Sequence, residues 1–123
     1  MSKKEKKYVY RIKDIPLTPL TDKVSTRFLL GERVLLSFIE QPPGAEFPLH
    51  KHDAEQVLII LEGSEEHIVG GQTIHMDAGD VCLHPSNVEH GGCTPTGFKG
   101  IDIFVPPRED YIELMKKYHK EEE

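Results

Sequence analysis

The chain has 123 residues, 37% of them hydrophobic, which is enough for one domain over 1–123 with a core of its own and too few for two. Its formal net charge of −6 excludes nucleic acid as the natural partner, because phosphate binding needs a basic face. No stretch approaches the roughly 20 apolar residues of a membrane span, and the two cysteines, Cys82 and Cys93, lack a Cys-x-x-Cys pattern and read as free thiols of a reducing, cytoplasmic setting.

The chain opens on Met1-Ser2-Lys3-Lys4-Glu5-Lys6-Lys7, a charged run with no apolar core after it. It reads as a solvated, flexible basic N-terminus over 1–8, and neither as a secretory signal nor as a phosphate-binding tail. Short strands follow. Ser25 to Leu30 and Glu32 to Glu40 are rich in branched and aromatic residues, with Gly31 turning between them, and Pro42-Pro43-Gly44 breaks the pattern. Gln56 to Leu61 is a continuous apolar run bounded by Gly63, the pattern of a strand covered on both faces. Glu65 to Val69 and Gln72 to Met76 flank Gly70-Gly71, a two-residue hairpin signal. Asp77-Ala78-Gly79-Asp80 is another turn, Val81 to His84 another strand, and Lys99 to Val105 the last. Turns at this rhythm predict an all-β sandwich or barrel. After Pro106-Pro107, the residues Tyr111, Leu114, Met115 and Tyr118 fall at i, i+3, i+4 and i+7, predicting a C-terminal helix over about 109–121 with one apolar stripe, packed on the domain or on a partner subunit.

Three histidines and a glutamine stand out against this background. His50-Lys51-His52 lies in a strand-like segment, where alternate side chains share a face, and Gln56 has the same parity. His90 completes the set from a second segment, Gly79 to His90. Three imidazoles and an oxygen suit a divalent first-row ion: Mn, Fe, Co, Ni, Cu or Zn. Glu55, of opposite parity, is the rival oxygen ligand if a bulge intervenes, and a barrel that keeps these residues without metal is the bland alternative. His84 reads as a hydrogen-bonded structural histidine, His67 and His75 as exposed residues beside the hairpin turn, and His119 as part of the polar end of the helix.

The spacing of these segments strongly resembles the two motifs of the cupin superfamily. Gly44, His50, His52 and Gly63 occupy the positions of the first motif, and Gly79, Pro85 and His90 those of the second. Gln56 stands where Glu is usual, Asn87 where Gly is usual, and Thr94 where Asn is usual. The resemblance implies a double-stranded β-helix jelly-roll barrel, with a metal-binding core over about 44–94 and a short C-terminal α-helix. A narrower resemblance lies in Gly100 to Tyr111, which looks like the closing strand of small pectin-degradation cupins that open the ring of unsaturated uronates. In that family Gln is the fourth metal ligand, and the aspartate, phenylalanine and arginine of the last strand line the pocket. This implies catalytic roles for Asp102 and Arg108, and substrate contacts from Phe104 and Arg108. Each has a bland alternative: Asp102 bonded to a loop amide, Phe104 as core, Arg108 paired with Asp110 or Glu109.

A glutamine oxygen adds no charge, so a His₃Gln site leaves an ion its full double charge and favours polarising a substrate oxygen over oxidative chemistry. Together with the resemblance to uronate-opening cupins, this makes the expected function a metalloenzyme linearising a sugar acid. The alternatives are a metal-dependent oxygenase and a non-catalytic module binding a small acid or the metal. The expected partners are a small-molecule acid and a second copy of the chain, since Val57, Ile59 and Leu61 need cover.

Overall fold

The computed structural model describes residues 7–119. After a 3₁₀ turn at Ile12–Asp14 come nine strands: β1 (Leu17–Pro19), β2 (Ser25–Leu30), β3 (Leu35–Gln41), β4 (Ala45–His50), β5 (Glu55–Val69), β6 (Gln72–Asp77), β7 (Val81–His84), β8 (His90–Thr94) and β9 (Phe98–Val105). Helix α1 (Glu109–Tyr118) follows. Every strand pair is antiparallel, in the order β1-β2-β3-β9-β5-β8-β4, with β6 and β7 also paired to β5. The result is the all-β cupin-type barrel with one C-terminal helix that the turn rhythm and the motif spacing predict.

Strand β5 is the pivot of the barrel. The two strands expected at 56–61 and 65–69 are one strand of 15 residues, whose first half pairs with β9 and β7 and whose second half pairs with β6 and β8. Between the halves the register on β9 slips at Ile60/Glu62, and Gly63 takes φ 81°. A slip of one residue turns the other set of side chains inward. Gln56, Leu58 and Ile60 are buried before it, and Glu65 and His67 after it. This corrects the expectation for His67: it is only 4% exposed, because the bulge aims it into the barrel. His75, one strand away, is exposed as expected and bonds Glu66 and Asp77.

Two apolar clusters fill the interior. One gathers Val24, Ile39, Ala45, Leu58, Ile60, Met76 and Phe98; the other gathers Phe28, Leu35, Ala54 and Phe104. Helix α1 caps the second cluster with Tyr111 and Met115, and the Tyr111 ring centroid lies 4.9 Å from that of Phe28. Of the expected apolar stripe, Tyr118 stays exposed while Ile112 is half-buried, and the helix ends at Tyr118; residues 120–123 and 1–6 of the expected helix end and basic tail lie outside the described residues. His119 bonds Thr18 at 2.8 Å, tying the helix end to β1. Val57 and Ile59 are half-buried on the outer face and Leu61 is exposed, so within one chain β5 is covered on its inner face alone.

Candidate metal centre

His50 ends β4, His52 lies in the turn after it, Gln56 is the second residue of β5, and His90 opens β8 across from His50. The turn lets the chain reverse between His52 and Gln56, so the four side chains meet around a corner and not along one straight strand. The three Nδ1 atoms each face a backbone carbonyl two residues away: His50 to Pro48 at 3.0 Å, His52 to Ala54 at 2.9 Å, His90 to Val88 at 2.9 Å. A carbonyl only accepts, so each Nδ1 carries the proton and each Nε2 presents a lone pair. Gln56 donates from Nε2 to Asp102 Oδ1 at 2.7 Å, which turns its Oε1 towards the histidines. That oxygen lies 3.0 Å from His52 Nε2 and 3.0 Å from His90 Nε2.

These atoms are all acceptors with no proton to share. Their convergence is unfavourable unless a cation sits among them, and a separation near 3.0 Å is that of neighbouring ligands bonded at about 2.1 Å to one ion in an octahedral arrangement. The donor set therefore fits a divalent ion. Burial holds His90 down to about 3 and, with the Arg108 charge, also lowers His52, so these rings are neutral as ligation requires. Glu55, the rival ligand, is exposed at the start of β5, and Gln56 is the residue that faces in.

Asp102 sits on β9, facing the barrel interior beside Phe104. Burial pushes its carboxyl up to about 7, against the opposing hydrogen bond from Gln56. The bland alternative of a loop-amide bond is not what this contact shows: the partner is the side chain of Gln56. Phe104 belongs to the second apolar cluster and also meets the His52 ring edge-on at a centroid distance of 5.8 Å. Arg108 stacks its guanidinium over Tyr111 at 3.8 Å and lies 5.3 Å from the Phe104 ring. It donates to both carboxylate oxygens of Asp110, at 3.1 and 2.7 Å. The surface pairing anticipated for this arginine is thus present, but its side chain is only 10% exposed and lines a groove shared with His52.

Comparison with known proteins accords with this geometry. Residues 37–97 match the family described as "Cupin domain". Those residues form a cupin domain. A structure of an RmlC-like cupin from Shewanella frigidimarina superposes with a TM-score of 0.81 at 28% identity, covering 86% of this chain and 96% of that one. KdgF from a Halomonas species superposes at 0.79 with 17% identity, over 86% and 99% of the two chains, a likeness that speaks for the fold alone. H2HPP isomerase of Bacillus subtilis is 30% identical over 80 residues, which is 63% of this chain and 34% of the Bacillus protein, so the chain spans about a third of that relative.

Within this cupin barrel the motif departures have physical explanations. Asn87 replaces glycine at φ 63°, in the left-handed region where asparagine is the least strained substitute. Thr94 is buried and donates its hydroxyl to the Ser64 carbonyl at 2.6 Å. The residues that sequence reasoning missed are Glu65, His67 and Tyr111, all at the same interior cavity as His50, His90 and Asp102. Only the parity switch at the β5 bulge could have revealed the first two, and nothing in the sequence marks a bulge there except Gly63. His84 is fully buried and bonds the Gln56 carbonyl through Nδ1 at 3.1 Å, the structural role expected for it. Among the described residues no helix is long and apolar enough to cross a membrane.

Proposed function

We propose that this cupin holds one divalent transition metal on His50, His52, Gln56 and His90 and opens the ring of unsaturated uronates. The observation that carries the reading is Asp102: a buried ionisable carboxyl bonded to the very glutamine whose oxygen completes the acceptor cluster. A bound divalent ion would supply Lewis acidity towards substrate oxygens. Asp102 then takes the proton of the anomeric hydroxyl, the bond between C1 and the ring oxygen breaks, and the ring oxygen departs as the enolate of C5. Asp102 returns that proton to C4, which converts the enolate to the ketone, so the sugar acid is isomerised with no net gain or loss of atoms. Arg108 supplies the bidentate fork for the substrate carboxylate, which takes the place of Asp110 on the same guanidinium.

The space available supports a two-part site. The interior cavity at His50, His90 and Asp102 measures about 40 Å³, close to the share of one water. The groove holding His52, Arg108 and Asp110 measures about 450 Å³, within the range of small-molecule sites. A sugar acid docks there and reaches Asp102 by displacing Asp110 and shifting Tyr111. The isomerase name of the Bacillus relative and the resemblance of the closing strand to uronate-opening cupins point the same way.

The small interior favours a second reading, a non-catalytic module that binds the metal or a small acid. On either reading the outer face of Val57, Ile59 and Leu61 is covered by a second copy of the chain. The test is ultraviolet absorbance of the C4–C5 double bond in an unsaturated uronate. The uronate-opening reading expects loss of that band well above the no-protein rate; a rate equal to that control leaves the binding reading.

A further inference from the structure

Behind Gln56 lies a second group of ligating side chains that the proposed reaction does not use. His67 comes from the second half of β5, and Cys82 and His84 come from β7, so the group joins the two halves of the barrel as the first one does. One ligand atom of each residue lies within 4.8 Å of the other two. His67 directs Nδ1 at the Glu65 carboxylate at 2.8 Å, and His84 directs Nδ1 at the Gln56 carbonyl at 3.1 Å. Both partners accept, so both Nδ1 atoms are protonated and both Nε2 atoms are the ligating positions. Those two Nε2 atoms face each other at 2.6 Å.

Two facing lone pairs at that distance need a cation between them. A proton meets the need, and 2.6 Å is the spacing of a proton-bridged pair. With a sulfur as third donor the same place also meets the requirements of a metal. A carboxylate behind one imidazole and a backbone carbonyl behind the other are the supports that metal-bound histidines have, fixing each ring with Nε2 outward. A thiolate and two imidazoles select a thiophilic ion, and three protein ligands leave one position open. A groove of about 490 Å³ is lined by both His67 and Cys82, with Met76 and Asp80 beside them and with Val81 and Leu83 on the face proposed to meet a second copy of the chain. To admit an ion the two nitrogens must part by about 0.7 Å, since ligands at about 2.0–2.1 Å in tetrahedral geometry sit about 3.3 Å from each other.

We infer that His67, Cys82 and His84 form a second metal site, selective for a thiophilic ion such as zinc and distinct from the His₃Gln centre. The two groups are neighbours: Gln56 turns its side chain to the first and braces the second with its carbonyl, His67 lines the same interior cavity as His50 and His90, and the His84 and His90 rings lie 4.4 Å apart. The inference is independent of the uronate reading, since it concerns ligand chemistry alone.

Cobalt(II) titration of the full chain is the test, because only the second site offers sulfur. The wild type should bind two ions per chain and show a sulfur-to-cobalt charge-transfer band. Cys82→Ser should lose that band and hold one ion, while Cys93→Ser, at a cysteine outside the group, should keep the band and both ions. His50→Ala should keep the band and lose the other ion. A wild type that binds one ion without the band overturns the inference whatever the variants do, and so does a band that persists in Cys82→Ser.

Discussion

Asp102→Asn separates proton transfer from metal support. In the wild type Asp102 Oδ1 accepts from Gln56 Nε2 at 2.7 Å, and an asparagine carbonyl oxygen in the same place accepts that bond equally well. Gln56 Oε1 therefore keeps its direction, 3.0 Å from two histidine nitrogens, and metal affinity should change by less than about tenfold, below the 10–100-fold typical of losing such a support. The variant also removes no stability that depends on charge, because burial already pushes the carboxyl up to about 7. What disappears is the ionisable oxygen, and with it the roughly 10²–10⁴-fold that a positioned acid or base contributes to turnover. The assay pairs metal content after gel filtration with initial rates on an unsaturated uronate. Expected is a full metal complement with kcat down by about two to four orders of magnitude. Wild-type turnover in a metal-replete Asp102→Asn protein would refute the role given to Asp102. Asp102→Ala is the contrast: it strands the Gln56 amide, and metal affinity should fall by about 10–100-fold alongside activity.

Other expectations follow from the same geometry. Arg108→Ala should raise KM by about 10–100-fold with a smaller change in kcat, as expected for loss of a charge-assisted bidentate contact made in both ground and transition states, and steady-state rates check it. Removing a saturating metal from the His₃Gln centre should lower stability by about 3 kcal/mol at 100 times Kd, a fall in melting temperature on the order of 10 °C readable by calorimetry. Gly63→Ala places a Cβ 2.1 Å from the Gly97 carbonyl at φ +81°, and should cost about 2–4 kcal/mol in urea unfolding. On the outer face Val81 and Leu83 are 61% and 59% exposed beside Ile59 and Val57, so the wild type should elute at twice the chain mass and Leu83→Glu at one chain mass.

Much of the site was legible because cupin spacing encodes turns as well as ligands. His50, His52, Gln56 and His90 could be chosen from the sequence since the glycines around them fix where the chain reverses. Asn87 could be read as a tolerated glycine substitute, and its φ of 63° shows why. The strand pattern was less informative where packing is polar or short. β1 has three residues, β4 carries a proline and a histidine, and β8 begins His-Gly-Gly, so none shows the apolar alternation that marks a strand. The interior role of His67 depends on a one-residue slip in β5, a feature of pairing between strands that no local pattern records. The Arg108–Asp110 pair was anticipated as an alternative to substrate binding; the structure shows the pair on a side chain that also lines the groove.

On the proposed function, the acceptor cluster holds an ion that ring opening needs. The most direct measurement strips the protein with a chelator, reloads it with graded amounts of manganese, nickel or zinc, and follows uronate double-bond loss at each step. A rate near the spontaneous one is expected in the stripped protein, rising in proportion to ion bound at His50, His52, Gln56 and His90 and staying at the spontaneous level in a His50→Ala, His90→Ala double variant. A stripped protein as active as the loaded one, or a double variant as active as the wild type, would contradict it.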